Sequence, residues 1–331
     1  MTREEEKQGG PVAVVLLQLG GPDSLDAVEP FLYNLFLDPD IIDFPFARLA
    51  RPTLARLISS RRAKKVQTHY ASIGGKSPIR ELTELQASAL ELELRRTMDA
   101  RVFVAMRYWH PLTEEVVARV IFQNFRQLVL LPLYPQYSKT TTGSSLNEWH
   151  RRYAAAGKDG LSTTIVKDFY QHQVYLESVV EKINEGLQRF PAPEKTHLVF
   201  SAHGVPTSVI EAGDPYQAQI EATVKLVMEL GGWSNPSLLC YQSRVGPGRW
   251  LKPMLDVKLQ HLAAERAEAV LVIPIAFVSD HVETLSEINI EARALAGRLG
   301  IRQFEVMPAL NDSPKFIHAL ADLVQQSLSG K

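Results

Sequence analysis

The sequence predicts an α/β protein made of two doubly wound domains in tandem. Apolar runs recur along its 331 residues and alternate with stretches that have a helical pattern of polar and apolar side chains. Continuous apolar strands between helices are typical of parallel sheets covered on both faces. The eight runs divide naturally into two sets of four, and a chain of this length can bury two separate cores.

Eight strands are predicted, and each is a short run rich in apolar residues. They are Ala13–Leu19, Val102–Met106, Leu128–Leu133, Thr163–Val166, Thr196–Phe200, Leu238–Tyr241, Ala269–Phe277 and Phe304–Met307. A weak duplication relates the two sets, because LGGP at Leu19–Pro22 follows the first strand much as HGVP at His203–Pro206 follows the fifth. The letters of Leu130–Leu133 likewise resemble those of Val272–Ile275. Two long copies favour tandem doubly wound domains over a stack of short repeats.

The boundary between the predicted domains lies near Asp168–Tyr175. We assign residues 1–170 to an N-terminal domain and residues 171–313 to a C-terminal domain. The final segment, 314–331, contains an amphipathic stretch. It is predicted to form a helix that packs back on the first domain.

Composition and charge exclude several classes of protein. The 36 Lys and Arg residues balance 37 Asp and Glu residues, for a net charge of −1, so no nucleic-acid partner is expected. Cys240 is the single cysteine, which leaves too few thiolates for a disulfide, an iron–sulfur cluster or a structural zinc site. The first ten residues contain three consecutive glutamates and resemble neither a signal peptide nor a transit peptide. No apolar run approaches about 18 residues, so we expect a cytoplasmic protein without a membrane span.

A histidine and an acidic segment follow two of the predicted strands. His203 comes after Thr196–Phe200, and Ser279–Glu287 comes after Ala269–Phe277. In an open α/β sheet the ligand crevice lies outside the carboxyl ends of the strands, so His203 should come within reach of Glu283. An imidazole opposed to a carboxylate can accept protons or hold a divalent metal ion transiently.

The acidic residues continue beyond Glu283. If a helix starts there, Glu283, Glu287 and Glu291 lie on one face at intervals of four residues, where like charges repel and need a cation or solvent. A solvated helical face near the positive end of the helix dipole is the alternative interpretation. The sequence contains no His-Glu-x-x-His motif, Cys-x-x-Cys motif or EF-hand loop, so a permanently held metal is not expected. Oxygen and imidazole ligands suit the passage of Fe²⁺.

Two polar clusters follow strands of the first domain. Arg107–Pro111 follows the second strand, and Tyr134–Ser145 follows the third. Arginine, tyrosine and hydroxyl groups suit the recognition of carboxylates, while the aromatic rings offer flat apolar surfaces. Together they indicate a flat, partly apolar, carboxylated ligand. A solvated loop would explain the Thr and Ser residues alone.

The segment Phe44–Lys65 mixes large apolar side chains with seven arginines and lysines. Such a pattern is typical of a basic amphipathic helix on a bilayer surface. A solvated charged helix that packs by its apolar stripe remains the alternative.

Several motifs, in order along the chain, resemble those of the ferrochelatases, the enzymes that insert Fe²⁺ into a porphyrin to make haem. The resemblance runs from about Val12 to Ile317. The motifs are Leu16–Pro22, Gly74–Ile79, Met106–Tyr108, Ser201–Pro206, Gln242–Pro247 and Phe277–Glu287. Two residues depart from the family pattern, because Ser286 stands where the family often has tyrosine and Asn289 where it often has aspartate.

The resemblance implies a chelatase-type fold of two similar Rossmann-like domains, with the porphyrin in the cleft between them and a membrane-facing lip on the first. It implies that His203 is catalytic and faces the macrocycle centre, with Glu283 as the acidic partner opposite it. His203, Glu283 and Glu287 are the implied metal ligands. Asp280, His281 and Glu291 would extend the acidic path. The implied substrate-binding residues are Leu19, Arg80, Arg107, Tyr108, Tyr137 and Ser138.

The resemblance also implies a lyase that forms protohaem at a terminal step of haem biosynthesis, with release of two protons. The residues at Tyr134–Ser138 resemble the branch that uses protoporphyrin IX. Fe²⁺ is then a substrate, with no permanently bound cofactor and no iron–sulfur cluster. We expect a monomer or weak dimer in peripheral contact with the inner face of the cell membrane.

Other functions stay open at this point. A ferrochelatase for coproporphyrin III, a cobalt or nickel chelatase of another tetrapyrrole and a non-catalytic haem carrier would share the fold. A nucleotide-dependent transferase belongs to a different class. The Gly20–Pro22 turn lacks the glycine pattern and the lysine of a phosphate loop, which disfavours that class.

Overall fold

Two four-stranded parallel sheets form the framework of the protein. The computed structural model describes residues 10–41, 47–157, 160–244 and 248–330. The chain divides into two structural units. Unit 1 consists of Met1–Phe169 together with Phe316–Lys331, and unit 2 is Tyr170–Lys315.

The sheet of unit 1 has the order β2-β1-β3-β4, and all its strand pairs are parallel. Its strands are β1 (Val12–Gln18), β2 (Ala100–Met106), β3 (Gln127–Pro132) and β4 (Ser162–Ile165). The helices are α1 (Val28–Leu37), α2 (Ala47–Ser72), α3 (Ile79–Leu94), α4 (Thr113–Phe122) and α5 (Ser144–Ala155), and a π-helix at Lys139–Gly143 leads into α5. All seven residues of β1 are buried, as expected for a central strand covered by helices on both faces.

The sheet of unit 2 repeats this topology with the order β6-β5-β7-β8, again entirely parallel. Its strands are β5 (His197–His203), β6 (Ser237–Gln242), β7 (Ala269–Pro274) and β8 (Gln303–Val306). The helices are α6 (Gln173–Leu187), α7 (Thr207–Glu211), α8 (Tyr216–Gly231), α9 (Leu255–Ala264) and α10 (Arg293–Leu299), with a 3₁₀ turn at Pro193–Lys195 and a π-helix at Glu283–Ala292. We call Lys139–Gly143 the first π-helix and Glu283–Ala292 the second.

The predicted fold class is confirmed, since all eight predicted strands are present in two parallel sheets. Two strands end three residues away from the prediction. β5 continues to His203, so this histidine is the last residue of the strand and not the start of a loop. β7 ends at Pro274, three residues early, because proline has no N–H with which to continue the ladder.

The last helix of the chain is α11 (Pro314–Ser329). From Phe316 onward it belongs to unit 1. Its apolar face is buried, and the Gln325 amide donates a hydrogen bond of 3.2 Å to the Thr97 hydroxyl beyond α3.

The basic segment predicted at Phe44–Lys65 is only partly described. Residues 42–46 lie outside the described ranges, and the rest of the segment lies in α2. Within the parts of the chain that the structure describes, no helix combines the length and the apolar character needed to cross a bilayer.

Candidate active site

Three strand ends of unit 2 meet at one edge of the sheet. β5 lies between β6 and β7, and His203 at its end is in register with Gln242, the last residue of β6. Ser243 follows β6, and the second π-helix follows β7 by a short loop. Since all three strands are parallel, their carboxyl ends bring these segments together.

His203 and Glu283 are in direct contact. The imidazole Nδ1 lies 2.8 Å from the Glu283 Oε2 atom, while 35% of the His203 side chain and 16% of the Glu283 side chain remain exposed. The predicted approach of the two residues is therefore observed. The expectation that they face each other from opposite sides of a substrate is wrong, because side chains joined by a hydrogen bond lie side by side.

The contact shifts the protonation of both groups. Burial alone would lower the pKa of His203, but the Glu283 carboxylate outweighs it and the pKa is raised. Burial would raise the pKa of Glu283, whereas the charge and hydrogen bond of His203 lower the pKa to about 2. The contact therefore favours the charged forms of both groups, an imidazolium paired with a carboxylate.

The acidic residues lie on a π-helix and not on the predicted α-helix. Glu283–Ala292 forms ten residues of this wider coil. π-helices are rare and occur mostly as short insertions at functional sites. Apolar periodicity does not separate a π-helix from an α-helix over so short a segment, so the difference could not be predicted from residue spacing.

Ser243 links the first two glutamates and was missed by the sequence reasoning. Its hydroxyl lies 3.0 Å from Glu283 Oε2 and is also hydrogen-bonded to Glu287 Oε2. Burial and the charge of Glu283 raise the pKa of Glu287 to about 7. His203, Glu283, Ser243 and Glu287 thus form a continuous hydrogen-bonded chain, which we call the carboxylate chain.

A second histidine lies on the other side of Glu283. His281 is buried, and its Nδ1 lies 3.1 Å from the carbonyl oxygen of Ser279. A carbonyl only accepts, so Nδ1 carries the proton. Burial lowers the pKa of His281, and its Nε2 lone pair lies 3.9 Å from Glu283 Oε1. A neutral imidazole therefore flanks the ion pair.

The other two residues of the predicted path are placed differently. Both carboxylate oxygens of Asp280 accept local hydrogen bonds, one from Thr284 Oγ1 and one from Asn311 Nδ2, each at 3.1 Å. Asp280 therefore holds the start of the second π-helix in place. Glu291 is exposed on the same helix, and its charge contributes to the raised pKa of Glu287.

Close backbone packing fixes the position of His203. A side chain at Gly204 would bring its Cβ to 3.0 Å from the Ser243 carbonyl oxygen and 3.1 Å from that of Gln242, so the loop after β6 packs directly on this glycine. The Tyr216 hydroxyl donates to the His203 carbonyl at 3.0 Å. The motif Ser201–Pro206 therefore needs glycine at position 204, because the loop after β6 approaches the backbone closely there.

In unit 1, two of the predicted substrate-binding residues are buried in an ionic network. Arg107 Nη2 lies 2.9 Å from Asp38 Oδ1, and the Tyr108 hydroxyl donates to Asp38 Oδ2 at 2.6 Å. Ser144 contacts both Asp38 and Arg107, and Glu148 lies 3.9 Å from the guanidinium. Burial would raise the pKa of Asp38, but Arg107 and the hydrogen bonds from Ser144 and Tyr108 bring it below its usual value.

This network corrects the role predicted for Tyr108. Its side chain is 1% exposed and its hydroxyl is already bonded, so Tyr108 supports Arg107 and does not face a ligand. The Arg107 charge is likewise balanced by Asp38, which weakens it as a carboxylate receptor. The sequence reasoning missed Asp38 and Ser144, which lie far along the chain from Arg107.

The remaining predicted substrate-binding residues of unit 1 are dispersed. The Leu19 carbonyl accepts from the Tyr108 amide at 3.1 Å, which places Leu19 beside the network. Ser138 is buried and caps the first π-helix by accepting from the Thr140 amide, and Tyr137 precedes it, half-buried. Arg80 lies on the exposed first turn of α3 and pairs with Glu84 at 2.9 Å.

The proposed metal ligands do not form a preassembled metal site. Among the described residues, no group of three or more His, Cys, Asp or Glu side chains is arranged to hold an ion. In the carboxylate chain the charges of His203 and Glu283 satisfy each other. A cation could bind here only by displacing a proton or loosening a hydrogen bond, which suits transient binding.

Comparison with known proteins indicates the same family as the sequence motifs. The family model described as Ferrochelatase matches residues 11–328. A ferrochelatase of Synechocystis sp. is 50% identical over 326 residues, which cover 97% of this chain and 83% of the relative. A ferrochelatase of Nostoc sp. is 47% identical over 323 residues, with the same two coverages.

Solved structures resemble the chain in fold alone. SirB from Bacillus subtilis with Fe³⁺ matches with a TM-score of 0.56 and 12% identity, covering 97% of this chain and 98% of that one. The sirohydrochlorin chelatase SirB from Bacillus subtilis subspecies spizizenii in complex with cobalt matches with a TM-score of 0.55 and 10% identity, covering 97% and 96%. The fold is therefore a chelatase fold.

The raised pKa of Glu287 predicts a pH-dependent loss of stability. Between pH 4.5, the ordinary pKa, and about pH 7, the folded protein retains a proton that the unfolded chain has lost. Wild-type stability should therefore fall as the pH rises through this window. The side chain introduced by Glu287→Gln cannot titrate. The free energy of unfolding of this variant, measured with urea and taken relative to that of wild type, should therefore rise by roughly 1–3 kcal/mol between pH 5 and pH 8. Glu265→Gln, on an exposed helix end, serves as the control, and an equal gain there would contradict the prediction.

Proposed function

The chain belongs to the ferrochelatase family, whose members insert a metal ion into a porphyrin, and from this premise we propose that it inserts Fe²⁺ into protoporphyrin IX. The products are protohaem and two protons. The carboxylate chain at the strand ends of unit 2 carries the proposal, because it combines a proton acceptor with oxygen ligands for a divalent cation. Fe²⁺ is proposed as a substrate, and the single cysteine supplies too few thiolates to hold an iron–sulfur cluster.

His203 is proposed to accept pyrrole protons. The Glu283 carboxylate bonds to Nδ1, so it selects the tautomer in which Nε2 is the acceptor and stabilises the imidazolium that forms. The raised pKa of His203 favours the protonated ring in the resting site. A proton must therefore leave before His203 can act as a base.

Glu287 is proposed to accept the proton that leaves the site before His203 acts as a base. Its pKa of about 7 lets it gain or lose a proton near neutral pH, and Ser243 connects it to Glu283. Protons from the porphyrin are proposed to leave along the carboxylate chain, in which the step through Glu283 is the least favourable because the pKa of Glu283 is about 2.

We propose that His203, Glu283 and Glu287 bind Fe²⁺ transiently. Carboxylate oxygen and imidazole nitrogen suit a borderline divalent cation and release it more readily than thiolates would. An incoming cation replaces the proton of Glu287, so metal arrival and proton departure are coupled. His281 Nε2, which lies 3.9 Å from Glu283 Oε1, is proposed as a further acceptor beside this cation path.

The preference for protoporphyrin IX rests on the residues at Tyr134–Ser138. The half-buried Tyr137 and the hydroxyl-rich first π-helix are proposed to contact the macrocycle, with Leu19 and Arg80 as further contacts. Coproporphyrin III carries two more carboxylates, which would favour additional cationic receptors. Arg107 is not available for this role as it stands, because Asp38 neutralises it.

A peripheral membrane contact through α2 is also proposed. Its buried side chains include the small Ala55, Ser59 and Ala63 together with Tyr70, and Arg62 lies over the ring of Phe36 in α1. Leu57 remains 45% exposed among basic side chains. This arrangement favours the membrane interpretation over a helix that hides its apolar stripe.

The first prediction from this mechanism concerns His203. His203→Ala should reduce Fe²⁺ insertion by at least about 100-fold, because the proton acceptor is lost. Porphyrin binding, followed by fluorescence, should change little, since the rest of the binding surface is intact. The exposed His261→Ala serves as the matched control. Near-normal insertion by the His203 variant would refute the mechanism.

The substrate preference predicts the outcome of a competition between porphyrins. Anaerobic incubation with Fe²⁺ should convert protoporphyrin IX to protohaem with a higher kcat/KM than coproporphyrin III, as followed by absorption. Faster metalation of coproporphyrin would reverse the substrate assignment. Insertion of Co²⁺ or Ni²⁺ but not Fe²⁺, tested in parallel, would indicate a different chelatase.

The membrane proposal predicts binding to anionic vesicles. The wild type should co-sediment with vesicles that contain phosphatidylglycerol and not with pure phosphatidylcholine, because each basic residue contributes about 1 kcal/mol near an anionic surface. Combining Arg56→Glu with Arg61→Glu should release the protein. Lys225→Glu with Arg298→Glu changes the net charge equally elsewhere, so equal loss of binding in both pairs would argue against a specific role for α2.

A further inference from the structure

Ser243 has an unusual backbone conformation. Its φ is 55°, in the left-handed region, where only Arg266 and Asn311 join it among the described residues other than glycine. A serine in this region costs of the order of 1 kcal/mol and persists only where the surroundings impose it. Such strain is found most often at functional sites.

The surroundings of Ser243 explain how the conformation is imposed. The residue follows β6 directly, and its carbonyl oxygen packs against Gly204, which has no side chain in the way. The Gly204 amide donates to the Gln242 carbonyl at 2.7 Å, which holds the ends of β5 and β6 together. The start of the loop is therefore fixed relative to His203.

The side chain of Ser243 lies between two carboxylates. Its Oγ is 3.0 Å from Glu283 Oε2 and is hydrogen-bonded to Glu287 Oε2. A hydroxyl has one proton and can donate to only one carboxylate at a time. Glu283 Oε2 also accepts from His203 Nδ1 at 2.8 Å, so the Ser243 hydroxyl can donate to Glu287 while it stays close to Glu283.

We infer that Ser243 is a positioning residue that sets the separation of the Glu283 and Glu287 carboxylates so that both can contact Fe²⁺. This inference rests on the proposed function. It assigns Ser243 no contact with the porphyrin and no proton transfer of its own. Its loss should weaken the use of Fe²⁺ and leave the use of porphyrin unchanged.

The main variant is Ser243→Gly, because glycine accepts the left-handed backbone and removes the hydroxymethyl side chain without adding strain. A hydrogen bond to a charged group contributes enough to predict an increase of about tenfold in the KM for Fe²⁺. The KM for protoporphyrin should stay the same, and kcat should change much less than the KM for Fe²⁺. A general structural defect would alter both KM values and kcat together.

Two further variants sharpen the test. Ser243→Asn should restore part of the lost Fe²⁺ affinity, since asparagine tolerates the left-handed region and its amide donates hydrogen bonds. Arg266→Gly relieves the same kind of backbone strain at φ 62° on an exposed turn. It should leave both KM values unchanged.

An unchanged KM for Fe²⁺ in Ser243→Gly, with the wild type active, would overturn the inference while leaving the proposed function in place. If the wild type inserts no Fe²⁺ into either porphyrin, the proposed function fails. Calorimetric titration with Co²⁺ in the absence of porphyrin then decides the role of Ser243. Weaker Co²⁺ binding by Ser243→Gly than by wild type would support it, and equal binding, or none in either, would reject it.

Discussion

The candidate site depends on one topological constraint: β5 is the neighbour of both β6 and β7, and all three strands are parallel. Their carboxyl ends therefore meet at one edge of the sheet of unit 2. This brings together His203, Ser243 and Glu283, which are separated by 40 to 80 positions in the chain. Every interaction of the carboxylate chain follows from that arrangement.

The two units share their topology but differ in how they balance buried charge. Each has the same strand order and a π-helix after its third strand, so the duplication seen in the sequence extends to a rare local structure. In unit 1, Asp38 is paired with Arg107 and bonded by Tyr108 and Ser144, which makes a satisfied and rigid network. In unit 2, one imidazole faces two carboxylates, so a proton or cation can be exchanged there.

That imbalance explains why a site with carboxylate and imidazole groups is not a preassembled metal centre. The ion pair lowers the free energy of the resting site, and the raised pKa of Glu287 keeps a proton where a second anion would be costly. A cation that enters must compete with these internal contacts. Weak, exchangeable binding suits an enzyme that passes its metal on to a porphyrin, whereas a closed set of ligands would retain it.

The fold class, the eight strands and the approach of His203 to Glu283 could be predicted from the sequence, because apolar periodicity and strand order are local and topological properties. The direct contact of the two groups, the π-helical form of the acidic segment and the burial of Tyr108 appear only in the three-dimensional packing. It alone showed Ser243 and Asp38, whose importance comes from partners distant in the chain and from a left-handed φ at Ser243. Hydrogen-bond partners and helix pitch depend on packing between elements, which residue types at given spacings do not specify.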